Sequence, residues 1–193
     1  YQSVQNPIQF QKLKKQRYDR VIQKLKDIRT AQDAFKSIHG TYTSSFDSLI
    51  NFVKYDSLKN VRSIGELTDD QLEEGMTEQD ALKKGLIIRD TIRVAALEQL
   101  FGKNYPIDDL RYVPFTKKKH EFLMGTNMIW TDSGIEVPVF EARISNMVIF
   151  EDLFDEYEDA ILEENGERIR LNKYPGLKVG SVQEANNNVG NWE

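Results

Sequence analysis

The sequence predicts an α+β fold in which a long N-terminal spine helix packs on an antiparallel β-sheet with short helices inserted. Three observations carry that expectation. Tyr18, Val21, Ile22, Leu25, Ile28, Phe35 and Ile38 recur at helical spacing as one apolar stripe. Asp132-Ser133-Gly134 separates two segments of strand character, as a three-residue hairpin loop would. Branched residues Ile87, Ile88, Thr91, Ile92 and Val94 crowd into another short segment, again a strand signal.

The first helix is expected from Pro7 to His39, capped by Asn6, with Pro7 at its first position, where a missing N–H costs nothing. Gly40 suits the residue after its C-terminus, and Lys36 or His39 suits the negative end of its dipole. Its length is about 50 Å at 1.5 Å per residue, more than one small domain covers. Before Tyr18 the stripe thins to Ile8, Phe10 and Leu13, so residues 1–17 are expected to project. Residues 18–182 are expected to form one domain, and the asparagine-rich residues 183–193 a mobile tail unless Trp192 docks.

Ser45 or Asp47 starts a short helix carrying Leu49, Ile50, Phe52 and Val53. Residues 56–77 are polar and have the character of a loop with one helical turn; Thr77 then opens a helix ending at Gly85. Strands are expected at Leu86–Ala95, Leu110–Val113, Glu121–Thr131 and Ile135–Ile144. In the last of these Ile135, Val137, Val139 and Glu141 share one face, and Pro138 marks an edge or a bulge. Glu151–Glu164 has the pattern of an acidic helix with Leu153, Phe154, Tyr157, Ile161 and Leu162 inward, ended by Asn165-Gly166. A short final strand, Leu177–Val182, follows Tyr174-Pro175-Gly176.

The chain of 193 residues has 39% hydrophobic and 30% charged content, as a folded body requires, and no cysteine. Disulfides, thiolate metal sites and cysteine nucleophiles are therefore excluded. Net charge is −5, yet Pro7–His39 holds nine Lys/Arg against Asp19, Asp27 and Asp33. That helix carries +6 and the remainder −11, so the helix is expected to face an acidic partner, either its own body or another subunit. An acidic body disfavours nucleic acid. No apolar run reaches 18 residues, and the chain starts at Tyr1 without Met, so a membrane anchor is expected upstream of Tyr1.

No catalytic, cofactor-binding or metal-binding residue is assigned. His39 ends a helix, and His120 lies in Lys117-Lys118-Lys119-His120-Glu121, the composition of a solvated loop or hairpin tip. Gly-x-Ser-x-Gly, His-x-x-x-His and the glycine-rich phosphate loops are all missing. Acidic groups at Asp69, Asp70, Glu73, Glu74 and at Glu151, Asp152, Asp155, Glu156, Glu158, Asp159 lack the spacing of a calcium loop. Lys12, Lys14, Lys15, Arg17 and Arg20 either sit over anionic headgroups or keep the helix face solvated. Phe35, Tyr42, Phe46, Trp130 and Phe140 are expected in the core.

Ala31-Gln32 with Phe35, then Gly40-Thr41-Tyr42 and the apolar turn Phe46–Leu49, resemble the head of the type IV pilin and type II secretion pseudopilin family. The resemblance covers the N-terminal quarter. It implies a spine helix on an antiparallel sheet, no enzymatic activity, and a structural subunit or adaptor in the periplasm or cell envelope. Such a protein is tethered in the inner membrane by a segment absent from this chain, with other envelope proteins or further copies as partners through the helix. Arg89-Asp90-Thr91-Ile92 and Tyr174-Pro175-Gly176-Leu177-Lys178-Val179-Gly180 resemble envelope proteins of Bacteroidetes-type bacteria. Asp47-Ser48-Leu49, Asp56-Ser57-Leu58 and Asp90-Thr91-Ile92 look like the O-glycosylation pattern of that group. An alternative is a periplasmic domain that binds a small ligand or glycan in a pocket lined by Trp130, Phe140 or Tyr112. A hydrolase would instead need a histidine joined to a serine and a carboxylate.

Overall fold

The computed structural model describes residues 2–193, with side chains described from Pro7 onward. Its elements are α1 (Gln2–His39), α2 (Phe46–Tyr55), β1 (Ser57–Ile64), α3 (Asp69–Glu73), α4 (Glu78–Lys83), β2 (Ile88–Ala95), α5 (Ala96–Leu100), β3 (Leu123–Trp130), β4 (Glu136–Ser145), α6 (Asn146–Ile149), α7 (Phe154–Arg170) and β5 (Gly176–Gly180). This is an α+β fold with a long N-terminal helix and two antiparallel sheets. The chain divides into two compact units where one domain was expected: residues 1–52 with 106–193, and residues 53–105 between them.

In the larger unit β3, β4 and β5 form an antiparallel sheet in that order, and α1 lies against β4 and β5. Val21, Leu25, Ile28 and Ala31 of α1 are fully buried, as are Phe140 and Ala142 of β4 and Val179 of β5. Burying Leu25 and Ile28 contributes about 1.5–3 kcal/mol each. The hairpin closes as expected: the Thr131 N–H donates to the Ile135 carbonyl, and Gly134 takes the positive φ (75°) of the loop. Pro138 pairs with Met128, while β5 reaches β4 only from Glu141 to Ser145. Its missing N–H therefore falls where β4 is an edge.

Several expectations change. The backbone of α1 is helical from Gln2, so Pro7 lies inside the helix; the Asn6 cap falls outside the described side chains. The early turns do not project from Phe10 onward, because Phe10 is 1% exposed and packs on Phe150 and Tyr157. Ile38 is exposed, beyond the end of the core stripe. On β4 Val137, Val139 and Glu141 share one face, as expected; the opposite face, Phe140, Ala142 and Ile144, is the more deeply buried, and Val139 is buried as well. Both faces are apolar enough there to hide the alternation. Trp130, at the hairpin end of β3, is 70% exposed instead of buried. Leu110–Val113 contributes only a bridge, Tyr112 with Glu121.

Helix α7 runs through Asn165-Gly166 to Arg170 and buries Tyr157 and Ile161, while Leu162 is exposed. Glu164 pairs with Arg168 one turn on, and Asn165 is tied to Asn146, so packing outweighs the roughly 1 kcal/mol propensity cost of an internal glycine. The tail is docked. Val189 and Gly190 lie along β5, the Gly180 N–H donates to the Val189 carbonyl, and Glu193 pairs with Arg29 of α1. Asn188 donates to Asp33 and to the Tyr42 hydroxyl, so the tail covers the otherwise open edge of β5.

The smaller unit is a two-stranded ribbon, β1 with β2, in register from Ser57↔Ala95 to Ile64↔Ile88. Helices α3 and α4 fill the connection, each opened by a capping box, Thr68 with Gln71 and Thr77 with Asp80. Strand β1 lies where a loop was expected. Apart from Ser57 and Leu58 its residues are exposed, so it carries no two-residue apolar alternation.

Replacing both Leu25 and Ile28 by Asp places two unpaired charges in the core of the larger unit, a loss above about 4 kcal/mol. The double variant is expected to show no cooperative thermal unfolding by circular dichroism.

Candidate functional site

The residues that converge most strongly lie along the seam between α1 and the rest of the larger unit. At its N-terminal end Phe10 meets Phe150 edge-on at 5.3 Å, and Tyr18 stacks on the same ring at 5.9 Å. Between them Arg17 is buried; its guanidinium donates to the Ile149 carbonyl at 2.8 Å and to both Asp152 oxygens at 2.5 and 2.8 Å. A bidentate fork of this kind fixes direction as well as charge. Arg17 holds the Asp152 carboxyl below its usual range. Lys14 reaches Glu164 at 2.7 Å, and Arg168 binds the same carboxylate at 2.9 Å.

Asn146 is the hub. It is fully buried at the start of α6, accepts from the Tyr18 hydroxyl at 2.6 Å and donates to the Asn165 amide oxygen at 2.9 Å. Its backbone N–H donates to the Pro175 carbonyl. One side chain and its main chain thus join α1, α7 and the turn into β5. Burial pushes the Tyr18 hydroxyl up to about 12. At the other end of the seam Gln32, also fully buried, donates to the Thr43 carbonyl at 2.6 Å and accepts from the Thr43 N–H at 3.1 Å. It therefore clamps the chain as it leaves α1, and Tyr42 turns in to pack on Phe140, ring centroids 4.9 Å apart.

The positive charge of α1 meets its own body: Lys14 with Glu164, Arg17 with Asp152, Arg29 with Glu193, and Lys24 with the Asp109 carbonyl. Lys15 pairs within the helix to Asp19. His39 stacks on Phe35 at 4.2 Å, with Phe52 close by. His120 is half-buried at the base of the turn over 113–120, where its carbonyl accepts from the Val113 N–H, and it and Lys119 contact Glu151. Asp69, Asp70, Glu73 and Glu74 lie exposed on and beside α3. Among the described residues, no group of three or more acidic or histidine side chains is arranged to hold a metal ion.

Phe140 is fully buried and Trp130 stands in solvent, so the pocket they were expected to line does not form; Tyr112 lines only a polar cleft beside Arg111 and Asp47. Comparison with protein-family models, curated proteins and solved structures gives no match. Among the described residues, no helix is long and apolar enough to cross a membrane.

Sequence patterns single out Gln32 but miss Asn146, whose polar side chain sits between the apolar runs of β4 and α6 and carries no periodic signal. Asn146→Ala strands the Tyr18 hydroxyl and the Asn165 amide and is expected to cost about 2–3 kcal/mol in urea unfolding, against about 1 kcal/mol for Tyr18→Phe. Because the folded pKa of Tyr18 lies above the unfolded value of about 10, its contribution is intact below pH 10 and lost as pH rises toward about 12. The alkaline limb of the stability profile should therefore be shallower in Tyr18→Phe.

Proposed function

We propose that the protein is a membrane-tethered extracytoplasmic structural subunit or adaptor, pilin- or pseudopilin-like in plan, that acts by protein–protein packing through its spine helix. One observation carries this reading: α1 is a 38-residue helix, about 57 Å long, locked to its own body along one side. The opposite side, with Lys12, Lys15, Asp19, Gln23, Lys26 and Thr30, stays exposed along its length. A helix held so rigidly presents a fixed, mixed-charge surface to neighbours. Near its N-terminal end Ile8 is 69% exposed, an apolar contact point on the same element. The junction from Ile28 to Leu49 supports the family plan, since Gln32 and Tyr42 seat the chain exit on the sheet.

The test uses the full gene with its natural upstream codons. The product is expected in the inner-membrane fraction, with its body cut by protease added to spheroplasts. Residues 1–193 have no cysteine, so Ile8→Cys introduces a thiol on α1 for cross-linking in cells, with the unsubstituted protein as the control. Higher-mass adducts through that thiol support packing along α1. Recovery from the cytosol, or an Ile8→Cys protein that stays monomeric under cross-linking, overturns the proposal.

A further inference from the structure

We propose that the outer face of the β3-β4-β5 sheet holds a binding site for a small hydroxylated monoanion, of which a uronic acid is the type. On β4 the core takes Phe140, Ala142 and Ile144, so the pleat turns Glu141 and Arg143 to the other face. Glu141 is flanked on both sides by glycine, Gly125 of β3 and Gly180 of β5. At that register neither neighbouring strand has a side chain, and the Lys178 side chain of β5 reaches the carboxylate from two residues along its strand. The result is a cleft of about 260 Å³ lined by Leu123, Glu141, Arg143, Tyr174, Lys178 and Gln183, among others.

The two glycines differ in what holds them. Gly180 is dictated by the backbone: its φ is +72°, and a Cβ there would lie 2.2 Å from the Phe140 carbonyl oxygen. Gly125 is not. A Cβ there meets only Val182 Cγ1, at an ordinary 3.5 Å, so the fold admits a methyl group. An interior strand glycine costs about 0.5–1 kcal/mol, and where the fold does not require it, close approach of a ligand is a standing reason for it.

The chemistry of the lining fixes the ligand class. The Glu141 side chain is 12% exposed, and its ion pairs to Arg143 Nε and Lys178 Nζ span 3.6 and 3.7 Å, outside hydrogen-bond length. A carboxylate accepts about four hydrogen bonds, so Glu141 offers acceptors to hydroxyl donors in the cleft. Two cations around one carboxylate leave a local charge of +1, which one anionic group neutralises. Tyr174 supplies a ring face, with the Arg143 guanidinium 5.7 Å from its centroid. The cleft is smaller than the roughly 300–1,000 Å³ of drug-sized pockets, which suits a single sugar-acid ring. This site goes beyond the adaptor function and is independent of tethering.

The experiment titrates the purified chain with D-glucuronate by calorimetry and amide chemical shifts, with glucose and acetate as partial probes. Glucuronate is expected to bind, shifting the Gly125 and Gly180 amides, and each partial probe to bind about tenfold weaker or less. Glu141→Gln and Arg143→Ala should each weaken glucuronate about tenfold. Gly125→Ala should weaken glucuronate about tenfold with no fall in Tm, which a purely structural glycine would not do. The proposal is overturned by absent glucuronate binding to the folded protein, by equal affinity for glucose or acetate, or by wild-type affinity in Gly125→Ala.

Discussion

Every polar group that the long helix carries into the interior must find a partner there, and this requirement organises the larger unit. A 38-residue helix has more surface than its sheet can cover with apolar contacts alone. The Val21–Ala31 face supplies the hydrophobic attachment, but it leaves rotation about the helix axis and slip along it weakly specified, because such contacts are non-directional. Arg17, Tyr18 and Gln32 supply the direction. Each is met by a geometrically specific partner: the Asp152 fork, the Asn146 amide and both polar groups of Thr43. Losing a partner would strand a buried polar group, so the register of α1 is set with a penalty for error.

The charge imbalance between helix and remainder is resolved within the chain. Lys14, Arg17 and Arg29 end on Glu164, Asp152 and Glu193, residues far away in sequence. Asp152 is more than half exposed, so that pair contributes orientation more than energy. The outer side of the helix is left with lysines and an aspartate of mixed sign, a surface that stays solvated and selects neighbours by charge pattern.

Where burial is one-sided and regular, the sequence makes the fold legible. The stripe from Val21 to Ile28, the helix that Thr77 opens and the hairpin at Gly134 all follow from local chemistry. Strand β1 escaped because a two-stranded ribbon exposed over Val61–Ile64 imposes no alternation. Which face of β4 is the deeper one was not legible, because Val137 and Val139 are as apolar as the core residues Phe140 and Ile144. Helix α7 overran its apparent stop at Gly166 because Asn146 holds that turn from outside and the Glu164–Arg168 pair spans it within the helix. The hub itself was invisible, since a buried asparagine looks like any loop asparagine until its partners, 19 and 128 residues away, are brought together.

The docked tail also has a mechanical meaning. Glu193 grips Arg29 and Asn188 grips Asp33, so the last residues of the chain are fastened to the same helix that begins it. A pull along the axis of α1 is then opposed by bonds on two flanks, Arg17 and Tyr18 toward α6 and α7, and Arg29 and Asp33 toward the tail. Because these bonds sit at several points along one rigid helix, a pull along it loads more than one of them at once. Peeling the helix sideways would load them singly. The arrangement is strong along the spine and weak across it.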